Sequence, residues 1–430
     1  MTLAKFRGTT VSAVVTIAVI VSGCDSASRD ESLAVQDHGF TVRDSAGIEI
    51  IENHAPRYPA GEFWTIDPEP EFVLADDSAR LDWTAGIARL PDGRVATLSF
   101  SNKQLFIFDP SGELSRTIGR PGEGPGEFGI PELMQYLPPD TLVVWERFGA
   151  SIDYFDTAGT VLGERSVDYA GLMEHGATYE NPFRLPLPDG SFLIGVRKRA
   201  AGRPQEDCSH LDTKVSFAGQ DEITVPGEQL LRIDGAYAAH PFGCSRPGSR
   251  MAVGGDPLSV YISNTGDEVH QRSLDGTLVR IIRRTTDPPP VTDKAWAAEL
   301  EARERSREAL SGPMWMGGDG EPRRRMAYPA IEALLVDAEG YLWVNEWSDS
   351  ESGLPDRWSV FNAEGRWLGA LALPPNPEPT DLDLCSMFSP CWVGKDYFLM
   401  IRRDELGRER VEGYRIRRGQ AGSAGAESGS

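Results

Sequence analysis

The chain has 430 residues, 40% of them hydrophobic and 9% aromatic, which is ample material for a sizeable core. Its 65 acidic residues outnumber 43 basic ones, for a formal net charge of −22 at pH 7. A surface of that sign repels phosphate backbones and anionic lipid headgroups, so nucleic acid is excluded as a partner.

The N-terminus reads as a secretion signal. Lys5 and Arg7 form a short positive region, Val11–Val21 is an uncharged apolar run, and Ser22 and Gly23 lead into Cys24. The run is too short to span a bilayer, which takes about 20 apolar residues. The string Val21-Ser22-Gly23-Cys24 resembles the lipobox of bacterial lipoproteins, which implies cleavage before Cys24 and a diacylglycerol on its thiol. Residues 1–23 are then the signal, and the mature chain keeps 41 basic against 65 acidic residues, a net −24. Localisation follows: the cell envelope, lipid-anchored and facing the periplasm or the exterior, with the membrane as first partner through Cys24. Asp25 resembles the inner-membrane retention signal of enterobacterial lipoproteins, a rule other bacteria do not reliably obey, so the choice of membrane stays open. Residues 24–39 are small and polar and read as a flexible tether, and 419–430 as a disordered tail.

From residue 40 to 418 the sequence repeats. Leu90–Gly119 and Leu137–Ser166 align without a gap at an offset of 47. Each has a turn, a β-rich strand, a break, a second strand ending in Phe-Asp, an Asp-x-x-Gly turn and an outer strand. Aspartate supplies a turn acceptor and glycine a positive φ. Weaker copies begin at Leu187, Leu258, Val336 and Tyr397, and the last stops one strand short. The Asp44-Ser-Ala-Gly47 hairpin, Val42–Ile51, is expected to supply that strand. Pro131, Pro182 and Pro329 each precede a turn by a few residues, where proline can open an inner strand. The expected fold is an all-β, six-bladed β-propeller, closed by N-terminal strand pairing with the C-terminal blade. One helix is inserted over Asp293–Leu310, with Thr292 or Asp293 as N-cap.

The segment from Asp109 to Phe128, FD-x-x-G followed by IGRPGEGPGEF, resembles the NHL-type six-bladed propellers, loosely so over residues 40–418. The resemblance implies a fold and is nearly silent on function, because this architecture hosts binding proteins, lyases, lactonases and sensors.

Chemistry is harder to read. The Gly119–Gly129 run lacks the Gly-Lys-Ser/Thr of a phosphate loop and reads as an inter-blade link. Neither G-x-S-x-G nor H-E-x-x-H occurs, and the six histidines are scattered. With Cys24 lipidated, Cys208, Cys244, Cys385 and Cys391 remain, an even number in an oxidising compartment, and their grouping suggests Cys208 with Cys244 and Cys385 with Cys391 among three connectivities. Propeller ligands gather at the mouth of the central channel. By position the candidates are Glu132, Asn181, Arg184 and Glu332. Carboxylate, amide and carboxylate suit a hard cation such as calcium, and gluconolactonase-like propellers resemble this chain in those residue types; the alternative is a set that only orders water. Trp343, Trp347 and Trp358 read as inter-blade core, and Met314-Trp315-Met316 as a mobile lid or contact. The favoured function is a noncatalytic, lipid-anchored module binding a peptide, glycan or envelope protein. The alternative is a metal-dependent hydrolase or lyase, lactonase-like, at the channel mouth.

Overall fold

A computed structural model describes residues 39–59, 61–74, 81–146, 151–166, 184–186, 192–199, 211–218, 229–235, 250–263, 268–285, 292–304 in part, 331–346, 357–374, 391–403 and 408–419. For the strands between 184 and 250 the backbone alone is described.

The N-terminal stretch forms β1 (Phe40–Ser45), β2 (Ile48–Asn53), β3 (Thr65–Ile66) and β4 (Phe72–Leu74). Six antiparallel sheets then follow in chain order. Blade one is β5 (Thr84–Arg89), β6 (Val95–Ser99), β7 (Gln104–Phe108) and β8 (Leu114–Ile118); blade two is β9 (Pro131–Leu137), β10 (Thr141–Glu146), β11 (Ser151–Asp156) and β12 (Val161–Ser166). Blade three is β13 (Arg184–Pro186), β14 (Phe192–Arg199), β15 (Leu211–Ala218) and β16 (Gln229–Gly235); blade four is β17 (Arg250–Gly254), β18 (Ser259–Ser263), β19 (Glu268–Ser273) and β20 (Leu278–Arg284). Blade five is β21 (Ile331–Val336), β22 (Leu342–Glu346), β23 (Arg357–Phe361) and β24 (Trp367–Ala372), and blade six has β25 (Cys391–Val393), β26 (Tyr397–Arg403) and β27 (Glu409–Arg417). The first strands of blades pack on one another, β5 on β9, β9 on β13, β17 on β21 and β25 on β5, so they face the axis of a six-bladed β-propeller.

Repeated turn chemistry explains why these residues form blades. Between third and outer strands, the N–H of Gly112, Gly159, Gly276 and Gly365 bonds the carbonyl three residues back. These glycines lie at φ between +76° and +92°, which a side chain would resist. The Asp109 carboxylate also accepts the N–H groups of Ser111 and Glu113, at 2.9 and 3.1 Å. Between blades the cores are apolar. Leu98, Leu105, Leu142, Val144 and Phe155 join blades one and two, and Trp343, Trp358, Leu371, Phe398 and Met400 join five and six. The expectation that Trp343 and Trp358 are inter-blade core holds; Trp347 and Met314–Met316 lie outside the described residues. The glycine-rich run is an inter-blade link: a Cβ on Gly119 would stand 2.3 Å from the Phe128 ring, and Glu127 accepts the Gly124 N–H and the Arg120 guanidinium.

The placement of the Asp44 hairpin is corrected. β2 pairs in parallel with β20, so β1 and β2 extend blade four, not the C-terminal blade. Burial and one side chain explain it. Ile50 and Ile51 are buried, and Asn53 donates to the carbonyls of Arg283 and Gly365 while accepting the Trp367 N–H, which locks the hairpin between blades four and five. The strands that pair with β27 come later, β4 at Val411–Gly413 and β3 at Ile416–Arg417. The described residues within 293–304 are helical, and the Trp296 N–H bonds the Thr292 carbonyl, which makes Thr292 the N-cap. Among the described residues no helix is long and apolar enough to cross a membrane.

Candidate functional site at the channel mouth

Inner strands begin, and second strands end, at the same end of the ring, and there the register breaks in three blades. Thr84 faces Ser99 but Gly86 faces Leu98; Pro131 faces Glu146 but Leu133 faces Trp145; Ile331 faces Glu346 but Ala333 faces Asn345. Each inner strand thus carries one extra residue, a bulge that turns a side chain out of the regular alternation. The extra residues are Ala85, Glu132 and Glu332. Two sequence candidates therefore occupy the same structural position, in blades two and five, three steps apart around the ring.

The Glu132 bulge is anchored from behind. The Glu146 carboxylate accepts the N–H of Gly129 at 2.9 Å and of Ile130 at 2.8 Å through Oε2, pinning the chain as it enters β9. Gly129 permits the approach, since a Cβ there would sit 3.0 Å from that oxygen. Oε1 of Glu146 is buried without a hydrogen-bond partner among the described residues. Burial raises the Glu146 pKa, and the two backbone donors partly offset this. On the next strand, buried Asp153 lies directly across from Glu164. Burial, then the charges of Glu164 and Glu146, push its pKa up to about 7. Glu132 is itself buried, at 5% exposure.

Blade one presents an aromatic at the same end. Trp83, the residue before β5, is 38% exposed and held at φ +51°. A bulky residue in the left-handed region costs about 1–3 kcal/mol and persists only where its surroundings over-determine it. They do so here. The Trp83 carbonyl accepts the Phe100 N–H, the Asp82 carbonyl accepts the Ser99 hydroxyl at 2.9 Å, and the Thr84 N–H donates to Glu409 of blade six at 2.6 Å. Glu409 is held in turn by Arg403. The Phe100 ring backs Trp83 with centroids 5.1 Å apart. Lys103, in the turn after β6, is one of two further non-glycine residues at positive φ among the described residues, at +56°; the other is Ala46.

A family model described as "6-bladed beta-propeller" matches residues 89–167, blades one and two. No curated protein matches. Solved structures similar to this chain include a member of the duf4221 family from Bacteroides vulgatus, 10% identical over 83% of this chain and 99% of that one, with a TM-score of 0.45. Others are a gluconolactonase from Xanthomonas campestris, 12% identical over 84% and 99% at 0.37, and the calcium-binding protein regucalcin from Agrobacterium tumefaciens, 10% identical over 81% and 95% at 0.35. Similarity this remote carries no residue role, substrate or cofactor to this chain.

Of the other sequence candidates, Arg184 is the first residue of β13, beside β9, with its backbone alone described. For Glu332 too the backbone fixes the position and nothing is described of the side chain. Asn181, Cys24, Cys208, Cys244 and Cys385 lie outside the described residues. Cys391 opens β25 as a disulfide-bonded cysteine. Among the described residues no group of three or more His, Cys, Asp or Glu could hold a metal ion. Sequence reasoning passed over Trp83, Glu146 and Asp153. For Trp83 a signal existed: an aromatic just before the repeat, where the second copy has Ile130-Pro131.

Proposed function

We propose that this protein is an envelope β-propeller, anchored through a lipid on Cys24, that binds a peptide, glycan or protein ligand at the channel mouth. The observation that carries the reading is the shared bulge: Glu132 and Glu332 occupy one register position in two facing blades. A strand interior gains nothing from such a break, and bulges recur where a side chain is re-aimed toward a site. Disulfides Cys208–Cys244 and Cys385–Cys391 complete the proposal, and suit an oxidising compartment.

The test is a peptide and oligosaccharide array probed with the full chain and with Glu132→Ala/Glu332→Ala. A ligand class retained by the parent and lost tenfold or more by the folded double variant supports the reading; undiminished retention sinks it. The acidic mouth gives a second reading some footing, a metal-dependent hydrolase or lyase using calcium, and a titration with calcium and zinc separates the two. Saturable binding that disappears with Glu132→Ala would favour the enzyme.

A further inference from the structure

The close approach of blades one and two fixes what stands beside the Glu132 bulge. A Cβ on Gly86 would lie 2.7 Å from the Met134 carbonyl, so the inner strands touch at 86 and 134. Trp83 lies three residues before Gly86, just ahead of β5, and Glu132 two residues before Met134 on β9, so both sit at the mouth end, in neighbouring blades. A tryptophan left partly in water forfeits burial that the nearby core could supply, and this one is strained as well. Both costs fall on a residue whose flanking carbonyls and N–H are tied down by Ser99, Phe100 and Glu409, so the fold holds the indole outward instead of merely tolerating it. More of the charge described at this end is acidic than basic. Asp82 is exposed beside it and Glu132 and Glu146 are buried in the adjoining blade, against Lys103 in the turn after β6 and Arg403, which is paired with Glu409; the full chain carries −22. A part-exposed indole at an acidic mouth attracts an ammonium or guanidinium group through the ring quadrupole and direct Coulomb attraction.

We propose that Trp83 is the aromatic platform of the mouth site and that its ligand is cationic, a lysine- or arginine-bearing peptide segment. The inference rests on the mouth-binding reading above and supplies the ligand's chemistry. The probes are a lysine-rich decapeptide, its fully acetylated twin and a neutral oligosaccharide, titrated against the full chain and against Trp83→Phe, Trp83→Leu and Trp83→Gly. The decapeptide should bind the parent, with weaker affinity at high salt, and change a tryptophan emission that Trp83→Phe lacks. Trp83→Phe should weaken binding about threefold and Trp83→Leu about tenfold. Trp83→Gly should abolish platform binding while keeping or raising the unfolding temperature, because glycine relieves the positive φ. Equal affinity of Trp83→Leu and parent overturns the platform, and equal binding of the acetylated peptide or oligosaccharide overturns the cationic class. In either case loss of binding in Glu132→Ala/Glu332→Ala would leave the mouth reading standing. Failure of the decapeptide to bind the parent overturns the proposal, whatever the array shows.

Discussion

Asp153 is a carboxylic acid taken out of water with little to replace it. Its side chain is buried, its only described hydrogen bond is a 3.5 Å contact from Ser151, and Glu164 faces it across the ladder. With its pKa raised from 3.8 to about 7, the folded protein holds a proton there that the unfolded chain releases. Stability should therefore fall as pH rises from about 4 to 7 and level off above that window. Asp153→Asn, neutral throughout, should remove this share of the slope. Urea midpoints should nearly coincide at pH 4 and favour the variant at pH 8, where the like-charge pair alone accounts for up to about 1 kcal/mol. A difference independent of pH would contradict the account. At Gly129 sterics decide. Gly129→Ala brings its Cβ against Glu146 Oε2 and should break both backbone bonds to that carboxylate, a loss of about 1–3 kcal/mol in urea unfolding. An unchanged midpoint would mean the Glu146 anchor contributes nothing.

At the level of strands, the Asp-x-x-Gly turns and apolar runs were legible because each is local: a carboxylate acceptor, a positive-φ glycine and the hydrophobic run beside it all lie within a few residues. Inner strands were harder, since their residues alternate for no solvent face and two, Arg184–Pro186 and Cys391–Val393, are short. The mouth position of Glu132 and Glu332 was legible from the prolines before them, while the bulge that makes them equivalent depends on cross-strand register, which no local pattern encodes. Glycines in strands report another non-local fact. A Cβ on Gly413 of β27 would stand 2.1 Å from the Phe72 ring, so β4 docks by laying an aromatic over a bare backbone. Gly413→Ala should cost about 1–3 kcal/mol with Phe72 in place and much less in a Phe72→Ala background. Equal costs in the two backgrounds, measured by urea unfolding, would detach the glycine from β4 docking.

For the whole molecule, the N-terminal segment divides between two blades, four and six, and that division was the part of the fold the sequence misled on. The Asp44 hairpin has the repeat's turn, so it reads as blade material, yet the deciding groups are Asn53, bonded to residues more than two hundred positions away, and Arg280 of β20, which pairs with Glu49. The β3–β4 stretch, with no turn signature, carries the contacts that matter to blade six: Phe63 and Trp64 lie in the core shared with blade five, Leu74 in the core shared with blade one, and Glu71 binds Arg415 and Tyr397, which hold its pKa down at about 2. The two parts should therefore fail differently when removed. A chain starting at residue 56 loses β1 and β2, including two buried isoleucines worth roughly 3–6 kcal/mol together, and leaves the β20 edge open, but retains every strand of blade six. It should fold with a lowered unfolding temperature. A chain starting at residue 81 also loses β3 and β4, exposes the whole edge of β27 and uncovers Trp343 and Phe398, and should be unfolded or aggregated. Near-ultraviolet circular dichroism and size-exclusion chromatography of the two chains decide the matter. If the shorter truncation already abolishes native tertiary signal, the hairpin and not the β3–β4 stretch is what holds the ring together.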